Sequence, residues 1–149
     1  MEESGEFNEN HQDQQRSFDL DKFLNKALFA HLSTVSEEGP RDSPVWFHWE
    51  SAFLWIIGTP DDSFPKRIEI NPKCAVGIVD FDQKSRKVFH AGFRGQGFVE
   101  DFDSGIANRL LSRYLGTDDP RLNNSNVLIR FMMETVVVRD QSYLIRGDY

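Results

Sequence analysis

Residues 88–102 read VFHAGFRGQGFVEDF, an extended stretch that carries glycine at 92, 95 and 97. Apolar and aromatic side chains alternate along it, as in a strand, but three glycines in one strand mark sharp curvature, a bulge or a close backbone approach. Such a strand belongs at the corner of a barrel and does not suit a flat sheet.

Neighbouring stretches fit that corner. CAVGIVDFD (74–82) is a buried strand, and QKSRK (83–87) is the turn that returns the chain. Upstream, FAHLSTVS (29–36) is extended and EEGP (37–40) turns. RDSPVWFHWE (41–50) alternates, with Val45, Phe47 and Trp49 on one face and Trp46 and His48 on the other. Pro44 offers no N–H, which places that strand at an edge or opening. AFLWIIG (52–58) is apolar on both faces, like a central strand. VLIRFMMETVVVRD (127–140) closes the set. Helices are expected from Ser17 as cap through a Leu20, Phe23, Leu24, Ala27, Leu28 stripe. A second runs two turns from Pro65 to the Asn71-Pro72 stop, and a third covers 103–115 between Asp103 and Gly116. The expected fold is mainly β: a six-stranded antiparallel split barrel of Greek-key type with about three short flanking helices.

Composition sets outer bounds. The chain has 149 residues, enough for one domain with a real core, and its 13 Phe and 3 Trp promise a ring-rich interior. Residues 1–16 are polar and read as a disordered tail, leaving 17–149 as the domain. No apolar run nears the roughly 20 residues of a membrane helix. A net charge of -7 argues against a nucleic-acid partner, and KSRK at 84–87 is read as a solvated turn. The single Cys74 fits a reducing cytoplasm. The four histidines, 11, 31, 48 and 90, lack metal-ligand spacing, and no nucleophile motif is present, so no metal and no catalytic residue is assigned.

GTPDDSFPKRIEINP (58–72) places Lys66 and Arg67 in the opening turn of a helix, where unpaired N–H groups disfavour cations by roughly 0.3–1 kcal/mol. Together with the Ser63 hydroxyl they compose a phosphate cradle. The plainer alternative is that Asp61 and Asp62 neutralise the cations and one of them caps the helix. Pro44 to Trp46 offers a flat apolar slot for an aromatic ligand, although most of the aromatic group Trp46, Phe47, Trp49, Phe53 and Trp55 must be core.

Taken in order, AHLSTVSEEGPRDSPVWFHW, FLWIIGTPDDSFPKRIEINPKCAVGIVDFD, HAGFRGQGFVEDFD and RLLSRYLG resemble the pyridoxamine-5'-phosphate-oxidase-like FMN-binding split-barrel family, over about residues 20–116. The resemblance implies a homodimer with FMN in grooves between the subunits. Carried over by position, Ser43, Pro44, Val45 and Trp46 would lie along the isoalloxazine ring, and Ile57, Gly58 and Thr59 beside the ring and ribityl chain. Ser63, Lys66 and Arg67 would hold the phosphate, with Arg94 facing a similar position. The likeness is to short general members. The arginine- and histidine-bearing C-terminal segment of the true oxidase has no counterpart, and Pro65, Asp61 and Asp62 replace small and basic residues. An oxidoreductase acting on a small molecule, with an electron donor such as NAD(P)H, is implied. A flavin sensor or store, a scaffold without cofactor, and a haem protein using His48 or His90 remain alternatives.

Overall fold

The computed structural model describes residues 19–116 and 126–142. The expected tail at 1–16, Ser17 as a cap and most of the 117–126 loop lie outside them. Seven strands and three helices run in the order α1 (Leu20–Leu24), β1 (Ala30–Ser36), β2 (Gly39–Val45), β3 (Phe47–Glu50), β4 (Phe53–Gly58), α2 (Phe64–Ile70), β5 (Lys73–Asp82), β6 (Lys87–Glu100), α3 (Ser104–Leu115) and β7 (Val127–Asp140).

All strands join one antiparallel sheet, ordered β2-β1-β5-β6-β7-β4-β3. One face of every strand empties into a common core: Leu32, Val45, Phe47, Ile56, Val76, Phe93 and Phe131 are all within it. A sheet whose seven strands share one core must wrap around it. It does not close by hydrogen bonds: its edges, β2 and β3, are not paired with each other, although they are consecutive pieces of chain.

That is also why the strand count is seven and not six. The expected strand over 41–50 is broken at Trp46. Up to Val45 the chain pairs with β1, and from Phe47 it pairs with β4. Pro44 lies on edge strand β2, as its missing N–H requires.

The long β6 is the corner. Its ladder with β7 shifts register between Arg94 and Gly95. At the β5–β6 turn, Asp82 binds the Lys84 N–H at 3.1 Å and the Ser85 hydroxyl at 3.0 Å, which accounts for the KSRK cluster as a hairpin. Cys74 is buried and free, and burial pushes its thiol up to about 12, so it stays protonated.

Helix α1 is shorter than its apolar stripe suggested. Asp19 caps it by accepting from the Lys22 N–H at 3.3 Å, and it ends at Leu24, leaving Ala27 exposed. Helices α1 and α2 bury Leu20, Phe23, Leu24, Phe64 and Ile68 in the main core. In contrast, α3 lies on the outer face of β4, where Ile106 and Ala107 meet Trp55 and Ile57. This explains why β4 is apolar on both faces. Asp103 caps α3 through the Gly105 and Ile106 N–H groups at 2.9 and 3.1 Å, and Gly116 ends it at φ 90°. Among the described residues, no helix is long and apolar enough to cross a membrane.

Candidate functional site

The break at Trp46 strips two backbone groups of sheet partners, and the last turn of α3 supplies replacements. The Phe47 N–H donates to the Tyr114 hydroxyl at 3.1 Å, which in turn donates to the Leu28 carbonyl at 2.7 Å. Arg113 donates to the carbonyls of Phe47 (2.8 Å), Leu24 (3.1 Å) and Lys26 (2.6 Å). The Trp46 indole stacks on the Tyr114 ring, with centroids 4.6 Å apart and planes 4° from parallel. The split is thus held open by a defined set of bonds.

Beside it lies a pocket of about 440 Å³, within the range typical of small-molecule sites. One wall is Ser43, Pro44, Val45 and Trp46, and the facing wall is Ile57, Gly58 and Thr59 at the end of β4. These are the residues expected along a flavin ring. Leu111 and Leu115 of α3, together with Phe29, complete the apolar lining. Asp42, Asp62, Phe64 and Asn126 also line it.

The loop after β4 folds back tightly. A Cβ on Gly58 would sit 2.8 Å from the Phe64 ring and 3.2 Å from the Asp62 carboxylate, so only glycine allows this approach. Asp62 accepts from the Thr59 N–H at 2.7 Å and from its hydroxyl at 3.3 Å. This answers the part of the plainer reading of the cation-bearing turn that concerns Asp62. Asp62 caps the turn and not the helix, whose N-cap is Ser63, without a side-chain cap bond. Pro65 stands second in the helix and not first.

Arg67 donates from Nε to the Thr34 hydroxyl and from Nη1 to the Ser63 hydroxyl, both at 2.7 Å. Neither it nor Lys66 is paired with Asp61 or Asp62 among the described residues, and Lys66 is exposed. Ser63 sits between the lining residues Asp62 and Phe64, so this basic corner adjoins the pocket. Arg94 is not brought to it. It lies on the outer face of β6, in a separate groove with Gly77, Gly92, His90 and Arg139.

His48 also stands apart from the pocket. Its Nε2 meets Glu50 at 2.7 Å, and Glu50 is clasped by Arg109 of α3 at 2.9 and 2.8 Å. Because that clasp keeps Glu50 ionised, Nε2 carries the proton and Nδ1 the lone pair. Nδ1 is buried without a partner among the described residues, as is Nε1 of Trp55, the residue directly opposite in register. Burial pushes the His48 pKa below 6.5, against the opposing pull of Glu50. The hydrogen bond from Arg109 holds Glu50 below 4.5. A folded pKa below the unfolded one means that the unfolded chain takes up the proton first. The stabilisation is complete above 6.5, is lost as pH falls through the folded value, and Glu50 adds a further loss below 4.5. Thermal unfolding should therefore move to lower temperature from about pH 7 toward pH 5, with the loss diminished in His48→Gln. An unchanged pH profile in that variant would refute the assignment.

Sequence spacing gives neither Tyr114 nor Arg113 a role beyond membership of the helix at 103–115. Both act across the fold, on residues 66 to 89 positions away in sequence, and no local spacing signals such partners.

No protein-family model and no curated protein matches this sequence. Solved structures do match by shape. An F420 reductase is 23% identical over 78% of this chain and 94% of its own, with a TM-score of 0.62. An FAD-binding protein from Mesorhizobium loti is 16% identical over 80% and 91%, with a TM-score of 0.63. A haem storage protein from Vibrio cholerae is 15% identical over 81% and 91%, with a TM-score of 0.62. The likeness is one of fold alone, the split barrel that this chain shares with these structures.

Proposed function

We propose that this chain is a flavoprotein that binds FMN and acts, as a cytoplasmic homodimer, in the oxidation or reduction of a small molecule. The observation that carries this reading is the adjacency of a flat apolar pocket and a basic corner left unneutralised by its own aspartates. Ser43 to Trp46 and Ile57 to Thr59 would hold the ring. Ser63, Lys66 and Arg67 would hold the phosphate, whose dianion suits a hydroxyl beside two cations. When bound, the flavin supplies the electron-transfer chemistry. The chain's own part is to bind and orient it, to shield one face with Pro44 and Trp46, and to leave the other open to a reactant such as NAD(P)H. No acid or base is assigned.

The dimer reading is supported by apolar side chains that a single chain leaves in water. Phe29 at the pocket rim is 61% exposed, and the nearby Phe81 is 55% exposed. Such a patch is ordinarily covered. Haem is less well served: His48 is tied to Glu50 and His90 lies in the outer groove, so neither histidine lines the pocket. A flavin store or sensor differs from the main reading only in turnover.

The purified protein should be yellow, release FMN on denaturation, and oxidise NADPH or NADH with an electron acceptor. A colourless protein that takes up no added FMN would leave only the cofactor-free scaffold. A yellow protein without turnover would be a store or sensor.

A further inference from the structure

Helix α3 is joined to β3 and β4 by a small apolar patch and a row of polar ties. Ile106 and Ala107 meet Leu128, Trp55 and Ile57 in a cluster separate from the main core. The ties are Arg109 to Glu50, and Arg113 and Tyr114 to the carbonyls of Phe47 and Leu28. His48 lies in this seam. It shares a face with Glu50 and with Trp55, its direct partner in register, and its side chain is only 14% exposed.

Among the described residues, the charged groups that act on His48 are Glu50 of its own strand and Arg109 and Arg113 of α3. Trp55 of β4 is neutral, and beyond it Arg130 of β7 is bonded to Glu100 at 2.7 Å. Asp103, which also acts on Arg109, is committed to the cap of α3. The seam therefore accepts His48 only as a neutral ring. Its Nε2–H is already given to Glu50. A proton at Nδ1 would be a buried donor without an acceptor, opposite the Trp55 N–H, which is another. It would also add a third positive charge to Arg109 and Arg113, with Glu50 the one carboxylate beside the ring. Both penalties disappear if α3 lifts and water enters.

We propose that His48 is an acid-sensitive latch for α3: the neutral ring lets the helix seat, and the protonated ring loosens it from β3 and β4. The effect reaches the pocket, because α3 carries Leu111 and Leu115 of its lining and the Arg113 and Tyr114 bonds that hold the split. The latch groups all belong to one chain, and the proposal does not depend on what the pocket binds. Burial holds the His48 pKa below 6.5 while the helix is seated, so the opened form takes the proton first. Opening is therefore favoured as pH falls from 6.5.

The test is hydrogen exchange of the full chain, well below its unfolding temperature, at about pH 7.5 and about pH 5.5, corrected for intrinsic rates. Glu50, held below 4.5, stays ionised throughout. Protection over Ser104–Leu115 should fall at least about threefold at the lower pH, while that over Lys73–Asp82 stays level. His48→Gln keeps a donor for Glu50 but takes up no proton, so its α3 should be equally protected at both pH values. Glu50→Gln removes the anion that favours the charged ring, so its fall should be at least as large as in wild type. This second variant reads the latch even if His48→Gln fails to fold. No fall in wild type, an equal fall over Lys73–Asp82, or a fall that survives His48→Gln would overturn the proposal. So would a fall abolished by Glu50→Gln, which would make the carboxylate the sensor.

Discussion

Gly95→Ala is expected to destabilise the fold by roughly 3–5 kcal/mol, at the severe end of what one methyl group can do. A Cβ at this position would stand 2.0 Å from the Met132 carbonyl oxygen and 3.0 Å from the Met133 Cα. Both are backbone atoms of β7, so no side chain can swing aside. Relief requires β6 and β7 to part where their register shifts, next to the Gly97–Phe131 pair, and Phe131 is fully buried in the core. Gly77→Ala is the matched control. It lies on the neighbouring strand, and a Cβ there meets nothing within 4 Å. Its urea midpoint should stay near wild type, within about 0.5 kcal/mol. If the two variants unfold at the same urea concentration, the corner is looser than its geometry states.

That glycine shows what the sequence reveals of this fold. Three glycines in one alternating strand announce a bend, and the bend is there, although which glycine is indispensable depends on a strand 37 residues later. The break at Trp46 was not legible for a related reason. Val45, Phe47 and Trp49 keep the same face before and after it, so the alternation shows no change of phase, and only the pairing partner changes from β1 to β4. Helix α1 was overestimated because Leu28 packs on the core from outside the helix and so extends an apolar stripe that the backbone does not. In the cation-bearing turn, sequence offered Asp62 the cations or the helix cap. The carboxylate takes neither and bonds Thr59, a contact within the loop that closes because Gly58 lets it approach. The Pro44 to Trp46 wall of the pocket was legible through Pro44, whereas the Ile57 to Thr59 wall came only from the family resemblance. The bonds of Arg113 and Tyr114 that keep the split open were not legible, since they join α3 to Leu24, Leu28 and Phe47 through tertiary packing alone.

The second large effect is expected at the basic corner. Lys66 is exposed and has no partner among the described residues, so Lys66→Ala should leave thermal stability within about 0.5 kcal/mol of wild type. If its ammonium meets the FMN phosphate, the same change should weaken FMN binding by about tenfold, or roughly 1.4 kcal/mol. Arg67 has two duties. Its Nε bond to the buried Thr34 hydroxyl belongs to the fold, while its bond to Ser63 faces the corner. Arg67→Ala should therefore lower both stability and affinity, and the double variant should lose about a hundredfold in FMN affinity if the two cations act independently. Riboflavin separates phosphate recognition from damage to the pocket. It has the same ring and ribityl chain but no phosphate, so its weaker binding should be nearly unmoved by Lys66→Ala. Loss of FMN affinity below about threefold, some 0.7 kcal/mol, would place the phosphate elsewhere. An equal loss for riboflavin would show that the lysine acts on the pocket's shape and not on a charge.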